Sequence, residues 1–328
     1  MKKDQKNTPI ALWTGSDRVL DEVLNSVTVI LRSGGCSWNR CLMCQYRHER
    51  YHDLSTDELI LAMNEQLEVL AASISEHDPP LVKIYTSGTF FDDLEVPPVV
   101  REKIAGLCKG RFLTVECRGD YVDYEKIAAY QNLLKDESGK GGLIVAIGLE
   151  TSSDLIREKC IDKGLSFAQY VSASADIRRA GGLVKTYLLY KPAYITEREA
   201  YEDMVSSVRD ILPHTDLVSM NPCSVQRHTV VERLWRQGSY RPPYLWSVAK
   251  VLAESPVHIT CDPLGGGQKR GAHNCGTCDQ MILDAIREYN LNADQELIRS
   301  VLDISCSCKK EWEFVMEHEQ PYDMPLTT

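Results

Sequence analysis

The stretch that decides the fold is Val27-Thr-Val-Ile-Leu-Arg-Ser33, followed by Gly34-Gly35 and by Cys36-Ser-Trp-Asn-Arg-Cys41-Leu-Met-Cys44. Its first part is rich in apolar and β-branched residues and predicts a β-strand. The two glycines predict a turn. Three cysteines then lie within nine residues. The sequence therefore predicts a strand that leads directly into a compact, thiol-rich loop.

Three thiolates suit an iron–sulfur cluster that keeps one iron open. A [4Fe–4S] cluster is usually held by four cysteine thiolates, so ligation by Cys36, Cys41 and Cys44 leaves the fourth iron free for a small molecule. This is the arrangement of radical S-adenosylmethionine (SAM) enzymes, in which cluster-bound SAM is cleaved to a 5′-deoxyadenosyl radical. Their usual spacing is CxxxCxxC, whereas the first gap here has four residues. The alternatives are three unrelated buried thiols or a zinc knuckle, for which no fourth cysteine lies nearby.

The composition is that of an ordinary globular protein. The chain has 328 residues, of which 43% are hydrophobic and 26% charged, enough for one large core or a core with a small appended unit. No apolar run reaches the length of a membrane span. The net charge of −10 argues against a surface that binds nucleic acid everywhere, but not against a local basic groove. Twelve cysteines and a polar start without an export signal predict a reducing, cytoplasmic location and metal chemistry rather than disulfides.

Strand-like runs alternate with helical periodicity from residue 26 to about residue 223, which predicts stacked βα units and a parallel sheet. We expect an α/β fold, a partial (βα)6 TIM-like barrel whose chemistry lies at the C-terminal ends of the strands. Six strands are predicted, over residues 27–33, 81–88, 112–117, 143–148, 184–190 and 217–220. Residues 1–25 form an N-terminal segment, residues 26–223 the barrel, and residues 224–328 an extension with a small metal-bound lobe.

The second strand ends at Ser87-Gly88-Thr89, at the edge where such a barrel would bind its cofactor. Radical SAM proteins often have a Gly-Gly-Glu-like segment here that holds the methionine amino group. Backbone carbonyls and the Thr89 hydroxyl are suited to that role. The alternative interpretation is a simple glycine turn.

The next two strands end in charged residues. Glu116 and Arg118 follow the third strand, where an acid can accept hydrogen bonds from ribose hydroxyls or an amino group and an arginine can bind a carboxylate. The alternative is an internal Glu–Arg ion pair. Glu150 ends the fourth strand and by position points to the same opening, at the C-terminal ends of the barrel strands. Arg157 and Lys163 are candidates for the SAM carboxylate, or else solvated helix charges.

Three longer runs make the resemblance specific. Glu116-Cys-Arg-Gly-Asp120, Ala146-Ile-Gly-Leu-Glu-Thr-Ser152 and Arg179-Ala-Gly-Gly-Leu-Val-Lys185 resemble the Elp3-like branch of radical SAM proteins. Asn221-Pro222, Arg241-Pro-Pro-Tyr-Leu-Trp-Ser247 and Gly271-Ala-His-Asn-Cys-Gly-Thr-Cys-Asp279 resemble a narrower group, the radical SAM (beta) subunit of archaeosine synthase from archaea. With the four-residue gap, this resemblance covers nearly the full chain.

The resemblance implies a reaction on tRNA. A partner, the lysine-transferring alpha subunit, attaches lysine through its side-chain amine to the nitrile of a 7-deazaguanine (preQ0) base. The radical SAM subunit then abstracts hydrogen from the lysine carbon next to that nitrogen. Breaking the C–N bond leaves the formamidine of archaeosine and an aldehyde-bearing lysine remnant. The implied cofactors are a [4Fe–4S] cluster and SAM, which perform the difficult chemistry while the protein positions the C–H bond.

A second group of cysteines lies near the C-terminus. Cys275, Cys278, Cys306 and Cys308 form two short pairs that suit tetrahedral, structural Zn²⁺. Cys261 and His273 are rival ligands, a second Fe–S cluster is another interpretation, and reduced cysteines in a small core are a third. The remaining cysteines are isolated in sequence and predict packing residues: Cys108, Cys117, Cys160 and Cys223.

Basic residues are frequent in the extension and predict a local tRNA surface, although ordinary solvated charges are the alternative. They are Arg227, Arg233, Arg236, Arg241, Lys269, Arg270, Lys309 and Lys310. The glycine-rich run Cys261-Asp-Pro-Leu-Gly-Gly-Gly-Gln-Lys-Arg270 indicates either close approach to a phosphate or base, or a flexible loop.

Two other functions remain open from sequence. One is another radical SAM reaction on tRNA or a small molecule, such as methylthiolation or acyl addition. Against it, the sequence has no added cysteine triad upstream of residue 36 and no acetyltransferase-sized domain after the barrel. The other is a non-catalytic Fe–S and zinc scaffold for a tRNA-binding partner, which would hold a cluster without cleaving SAM.

Overall fold

The computed structural model describes residues 7–320, so the polar segment at residues 1–6 lies outside it. An eight-stranded sheet forms the centre, with its strands side by side in chain order. Strands β2 to β8 are parallel, and β1 pairs antiparallel with β2. The strands are Ala11–Val19, Glu22–Ile30, Leu81–Tyr85, Phe112–Cys117, Gly142–Glu150, Leu183–Tyr190, Leu217–Pro222 and Ile259–Cys261. The predicted α/β partial barrel is confirmed, with one further strand at each edge.

Helices cover the outer face of the sheet. Within residues 7–320 they are α1 to α11, in chain order Thr56–His77, Pro98–Leu107, Tyr124–Leu134, Asp154–Ile156, Phe167–Arg179, Glu197–Ile211, Val230–Arg236, Leu245–Glu254, Asp279–Asn292, Gln295–Val301 and Cys308–His318. Ser55 caps α1 through a reciprocal capping box with Glu58, which satisfies amide groups that the first helical turn leaves unpaired. Among the described residues, no helix combines the length and apolar character that crossing a membrane requires.

The two faces of the sheet differ in chemistry because side chains alternate along each strand. Outward residues such as Val29, Ile84 and Val145 are fully buried and belong to the main hydrophobic core with the helices. That core also contains residues of α8, α9 and β8. It therefore runs continuously from the predicted barrel into the extension, and the division at residue 223 stays a prediction.

Inward residues form a lumen that is apolar only at its N-terminal end. There Val19, Leu81 and Ile144 are buried together, and partly buried side chains pack against them: Leu24, Phe112, Leu183 and Leu217. Towards the C-terminal ends of the strands the inward positions become polar. Eight-stranded barrels usually fill their interior with apolar layers, so this polar lumen has space for something other than packing.

Strand β1 is a feature that the sequence analysis did not predict. It forms a hairpin with β2 in which Val19 pairs with Glu22, so two residues make the turn. Such turns favour Asn-Gly or Asp-Gly, whereas here Leu20 adopts a positive φ of 52°. The strand also carries polar residues at exposed positions, which leaves little hydrophobic pattern to detect.

Candidate functional site

The cysteine loop follows β2 at the C-terminal edge of the sheet, where the sequence analysis placed it. Trp38 anchors this loop: its indole Nε1 donates a hydrogen bond of 2.6 Å to the backbone oxygen of Asp162. The guanidinium groups of Arg40 and Arg118 lie 5.0 and 5.1 Å from its ring centroid. A Cβ on Gly164 would lie 2.2 Å from the ring, so the glycine makes this packing possible.

The three loop thiols are free and partly buried. Burial, with smaller effects of Glu150, Cys44 and Cys36, raises the pKa of Cys41 to about 11, although nearby Lys163 opposes the shift. The sulfurs of the four C-terminal thiols all lie within 4.8 Å of one another. Within residues 7–320, the three loop thiols do not form such a tight group. Three converging but separated thiols fit a multi-atom cluster better than a single ion.

The segment after β3 lies against this loop. A Cβ on Gly88 would approach Cys36 Sγ to 2.9 Å, so Gly88 brings its backbone directly to the first cysteine. The hydroxyls of Ser87 and Thr89 on either side are buried and lack a hydrogen-bond partner among the described residues. Buried polar atoms normally have partners, and these two fit the polar end of a bound cofactor.

Glu95 organises both segments, and the sequence analysis did not identify it. It is fully buried, and its carboxylate accepts hydrogen bonds from Thr86 Oγ1 at 2.6 Å, Thr89 N at 2.8 Å and Ser33 Oγ at 3.2 Å. Burial raises the pKa of Glu95, although these hydrogen bonds act in the opposite direction. One acid thus connects the start of the cysteine loop to the segment after β3.

Glu116 and Arg118 lie next to the site but do not pair with each other. Burial raises the pKa of Glu116 to about 7, and no hydrogen bond to its carboxylate is formed within residues 7–320. Arg118 instead binds Asp120 through two nitrogens at 3.0 Å and donates to the backbone oxygens of Lys163 and Gly164. The alternative of a Glu116–Arg118 ion pair is therefore wrong.

Glu150 and Lys163 form an ion pair of 2.8 Å beside the Cys41 thiol. Burial alone would lower the pKa of Lys163, but Glu150 and Cys41 raise it above its ordinary value. Arg157 is 1% exposed and donates to the backbone oxygens of Leu165 and Thr151 and to Asp154. Arg157 is therefore neither a solvated charge nor a free guanidinium.

The four C-terminal cysteines come together as predicted. Cys275 and Cys306 lie 3.6 Å apart, Cys278 and Cys308 3.6 Å, and Cys306 and Cys308 3.4 Å. Four thiolates around one tetrahedral ion at a Zn–S distance of about 2.3 Å would be separated by roughly 3.8 Å. Trp246 Nε1 and Asn274 Nδ2 donate to two of the sulfurs. This cluster could hold a metal ion.

The rival ligands lie apart from this group. Cys261 is buried in the main core, and His273 Nδ1 contacts the backbone oxygen of Gly271 at 2.8 Å. Neither belongs to the metal-competent group found within residues 7–320. The four isolated cysteines are buried, as expected for packing residues: Cys108, Cys117, Cys160 and Cys223.

Comparison with known proteins relates the whole chain to one family. No family model matches it. The archaeosine synthase subunit beta of Methanosarcina acetivorans is 37% identical, over 99% of this chain and 95% of that protein. The protein of the same name from Thermococcus kodakarensis is 34% identical, over 93% of this chain and 96% of that protein. The chain belongs to the archaeosine synthase subunit beta family.

Membership in the archaeosine synthase subunit beta family confirms the resemblance drawn from the sequence motifs. Among solved structures, the archaeal Methanocaldococcus infernus Elp3 with an N-terminal deletion is similar at 15% identity, with a TM-score of 0.49. The similarity covers 71% of this chain and 59% of that one.

This family member also has a basic groove beside its cysteine loop. An open cavity of about 750 Å³ is lined by Arg227, His228, Thr229, Glu232, Arg233, Arg236, Gln237 and Arg270. Val230 N donates to Leu42 O at 3.0 Å, which ties the groove to the loop. Glu232 binds Arg270 and Arg236 at 2.8 and 3.0 Å. Arg233 is exposed and forms no ion pair within residues 7–320.

The other predicted basic residues lie outside the basic groove, and not all of them are on the surface. Arg241 is 4% exposed, and its guanidinium lies 3.4 Å from the Tyr244 ring centroid, so it is a packing residue and not part of a surface. Lys309 and Lys310 lie at the start of α11 beside Cys308. Lys269 is exposed next to Arg270.

Proposed function

We propose that this protein is a radical SAM lyase of tRNA modification. Its substrate is a 7-deazaguanine base in tRNA to which a partner, the alpha subunit, has attached lysine, and its product is archaeosine. The observation that carries the proposal is full-length similarity to proteins named archaeosine synthase subunit beta. The converging thiols and unpartnered hydroxyls at the strand ends support it.

In this proposal the residues at the strand ends hold the cofactors. Cys36, Cys41 and Cys44 would ligate a [4Fe–4S] cluster through thiolates. When bound there, the cluster and SAM would supply the radical chemistry for hydrogen abstraction at the lysine carbon next to the amidine nitrogen. The residues proposed to contact SAM are Ser87, Gly88, Thr89, Glu116 and Glu150. Arg118, also a candidate from the sequence, is held by Asp120 and by two backbone oxygens, so its proposed role is to position the segment after β4.

The protein's own contribution is positioning. Glu95 fixes the cysteine loop relative to the segment after β3, and preorganisation of this kind supplies much of an enzyme's rate enhancement. The largely buried Glu150–Lys163 pair keeps fixed charges beside Cys41. The net change consumes adduct, SAM and water and releases the formamidine nucleoside, an amino-aldehyde, methionine, 5′-deoxyadenosine and a proton. No general base is needed for hydrogen abstraction, and none is assigned.

The basic groove is the proposed contact with tRNA. It lies next to the cysteine loop, so a tRNA bound there presents a nucleotide to the barrel mouth. Exposed arginines suit phosphate oxygens. A local groove of this kind is compatible with the overall net charge of −10.

Zn²⁺ is the proposed occupant of the C-terminal cluster. Sulfur separations of 3.4 to 3.6 Å leave room for one ion and not for a cube of iron and sulfide. A closed four-thiolate site is structural, and it would join α9 and α11, which begin next to Cys278 and at Cys308.

The test is an anaerobic assay of the reconstituted chain with SAM, a strong reductant and lysine-adducted tRNA. Mass spectrometry should detect 5′-deoxyadenosine and the formamidine nucleoside together. Cys41→Ala should abolish both products, whereas Cys108→Ala, a matched change of a buried cysteine, should retain them. Deoxyadenosine without a changed nucleoside would contradict the proposed substrate. An intact cluster without SAM cleavage would instead indicate a scaffold.

A further inference from the structure

The barrel lumen contains a cation that the cofactor site does not use. Asp17 and Lys83 pair at 2.6 Å towards its N-terminal end, and Glu150 and Lys163 pair at 2.8 Å towards its mouth. Lys185, on β6 between these levels, forms neither an ion pair nor a hydrogen bond within residues 7–320. Its Nζ lies 5.6 Å from the Tyr187 ring centroid.

Strand register places Lys185 on the inner face with space beside it. Glu116 is level with Ala146, and Ala146 is level with Lys185, so all three side chains point to the same side of the sheet. Ala146 itself is fully buried, whereas Glu116 and Lys185 on either side are partly exposed, so the lumen beside the two charged residues is accessible. Thr28 also faces the lumen, and its buried hydroxyl lacks a partner among the described residues.

Lys185 is only partly exposed, and desolvation of an ammonium group without a counter-ion is unfavourable. Burial and the charge of Lys83 together lower the pKa of Lys185 to about 8, against the opposing effects of Asp17, Glu116 and Asp262. An anionic ligand group beside Nζ would remove this penalty. A carboxylate is the smallest organic group that does so with charge-assisted hydrogen bonds.

An acid faces the same region from β8, the last strand of the sheet. Asp262 directly follows β8, and its backbone amide donates to Met220 O. Cys261 lies in the outer core, so alternation turns the next residue, Asp262, towards the lumen, where it is exposed. Partial desolvation raises the pKa of Asp262, and the charges of Lys83 and Lys185 act against that shift. No hydrogen bond to this carboxylate is formed within residues 7–320.

We propose that Lys185 and Asp262 form a recognition site for an α-amino acid head group, with the carboxylate on Lys185 and the α-ammonium on Asp262. The identification of that amino acid as the lysine of the tRNA adduct rests on the proposed function. Ala146, level with Lys185, and Glu150, beside Cys41, are four residues apart on β5, a distance of about 13 Å at the usual strand rise. The four carbons between the reacting carbon and the head-group carboxyl cover about half of that span, and the extended Lys185 side chain can cover the rest.

This arrangement also assigns a direction to the substrate. The apolar plug of Val19, Leu81 and Ile144 closes the N-terminal end of the lumen. The head group therefore enters from the mouth and binds above the plug, while the base stays outside near the basic groove. The lumen thus distinguishes lysine from a simple alkylamine by binding its head group.

Three small probes test the site without turnover. Nε-Acetimidoyl-L-lysine carries the amidine and the full head group, N-acetimidoyl-cadaverine lacks the carboxylate, and 6-acetimidamidohexanoate lacks the α-amine. Titration calorimetry or saturation-transfer NMR would measure their binding to the full reconstituted chain with SAM and no reductant. The variants are Lys185→Met, Lys185→Arg and Asp262→Asn, and circular dichroism confirms that each is folded.

The expected result is selective loss. Lys185→Met should weaken the two carboxylate-bearing probes roughly tenfold to a hundredfold, the usual effect of one charge-assisted hydrogen bond, and leave the cadaverine probe unchanged. Asp262→Asn should weaken only the two probes with an α-amine. Lys185→Arg should retain part of the affinity because it keeps the cation.

Equal losses for all probes, or no loss, would overturn the site, as would a wild-type chain that binds none of them. The outcome is separable from that of the lyase assay. If the probes discriminate but lysine-adducted tRNA is not converted, the head-group site stands and the proposed reaction fails. If conversion occurs but Lys185→Met binds every probe normally, the reaction stands and this site fails.

Discussion

Gly88 and Cys36 approach each other so closely that a Cβ on Gly88 would lie 2.7 Å from the Cβ of Cys36 and 2.9 Å from its Sγ. Contacts shorter than about 3 Å are repulsive for carbon and sulfur. The position therefore requires glycine for space, since Gly88 is not among the residues with positive φ. The absence of a side chain at Gly88 determines how closely the segment after β3 can approach Cys36.

Gly88→Ala should therefore displace Cys36 and reduce cluster occupancy. We expect iron content and the visible absorption of the reconstituted chain to fall by at least half, with weaker SAM binding in the fraction that retains a cluster. Gly106→Ala is the matched control, because nothing lies within 4 Å of its added Cβ. It lies in α2 and should stabilise the chain by up to about 1 kcal/mol. Equal iron content in both variants would contradict the steric explanation.

The Glu150–Lys163 pair should behave as a buried ion pair in a double-mutant cycle. The two side chains are only 9% and 14% exposed, so Lys163→Met leaves a carboxylate buried without a partner and should cost about 3–5 kcal/mol. Glu150→Gln combined with Lys163→Met removes both charges and should cost less than Lys163→Met alone. Urea unfolding of the cluster-free chain measures all the variants. A double variant that is less stable than either single variant would refute this account.

Asp203 should make stability depend on pH. Its carboxylate accepts a hydrogen bond from Thr151 Oγ1 at 2.7 Å, and burial raises its pKa from 3.8 to about 6. Between these values the folded chain binds more protons than the unfolded chain, so the free energy of unfolding falls as pH rises. The contribution has a slope of at most about 1.4 kcal/mol per pH unit.

Asp203→Asn keeps an acceptor for Thr151 but does not titrate. The difference in unfolding free energy between Asp203→Asn and the wild type should therefore shift in favour of the variant from about pH 4 to pH 6 and then become constant. Urea titrations at four pH values in this window would measure it. A constant difference across the window would show that the pKa of Asp203 is not raised in the folded chain.

The four C-terminal thiols should set the zinc content of the chain. We expect about one zinc per chain by mass spectrometry, and near zero in Cys278→Ala. Because α9 begins next to Cys278, loss of the ion should also lower the temperature of unfolding, as should a zinc chelator. Cys223→Ala, a buried cysteine in another hydrophobic cluster, should retain its zinc. About eight irons per chain and no zinc would instead indicate a second Fe–S cluster.

The sequence predicts those parts of the molecule in which local pattern and tertiary structure agree. Six of the seven parallel strands, β2 to β7, are short apolar runs between helical periods, and the sequence analysis identifies them. It also groups the cysteine pairs around Cys275 and Cys306 correctly, because ligand spacing is itself local. Strand β1 lacks both a hydrophobic alternation and a recognisable turn. Its position depends on pairing with β2, which no short window of sequence contains.

Side-chain partners were the least predictable part of the candidate site. Glu95 joins Ser33 across 62 positions of the chain, a distance at which composition and spacing carry no signal. Arg118 lies two residues from both Glu116 and Asp120, and the sequence cannot tell which acid it binds. Alternation sends Glu116 into the lumen, whereas the turn after β4 brings Asp120 to the guanidinium.

Arg233 should contribute to tRNA affinity through a phosphate contact. It lines the basic groove and forms no ion pair within residues 7–320, so its charge is available to a phosphate. Arg233→Ala should weaken tRNA binding several-fold at low salt and reduce the slope of log K against log salt concentration by about one. Arg179→Ala is the matched control, because Arg179 ends α5 just before β6 begins, at the end of the barrel opposite the mouth. Filter binding at four salt concentrations would measure both variants, and identical slopes would show that the groove does not contact the phosphate backbone.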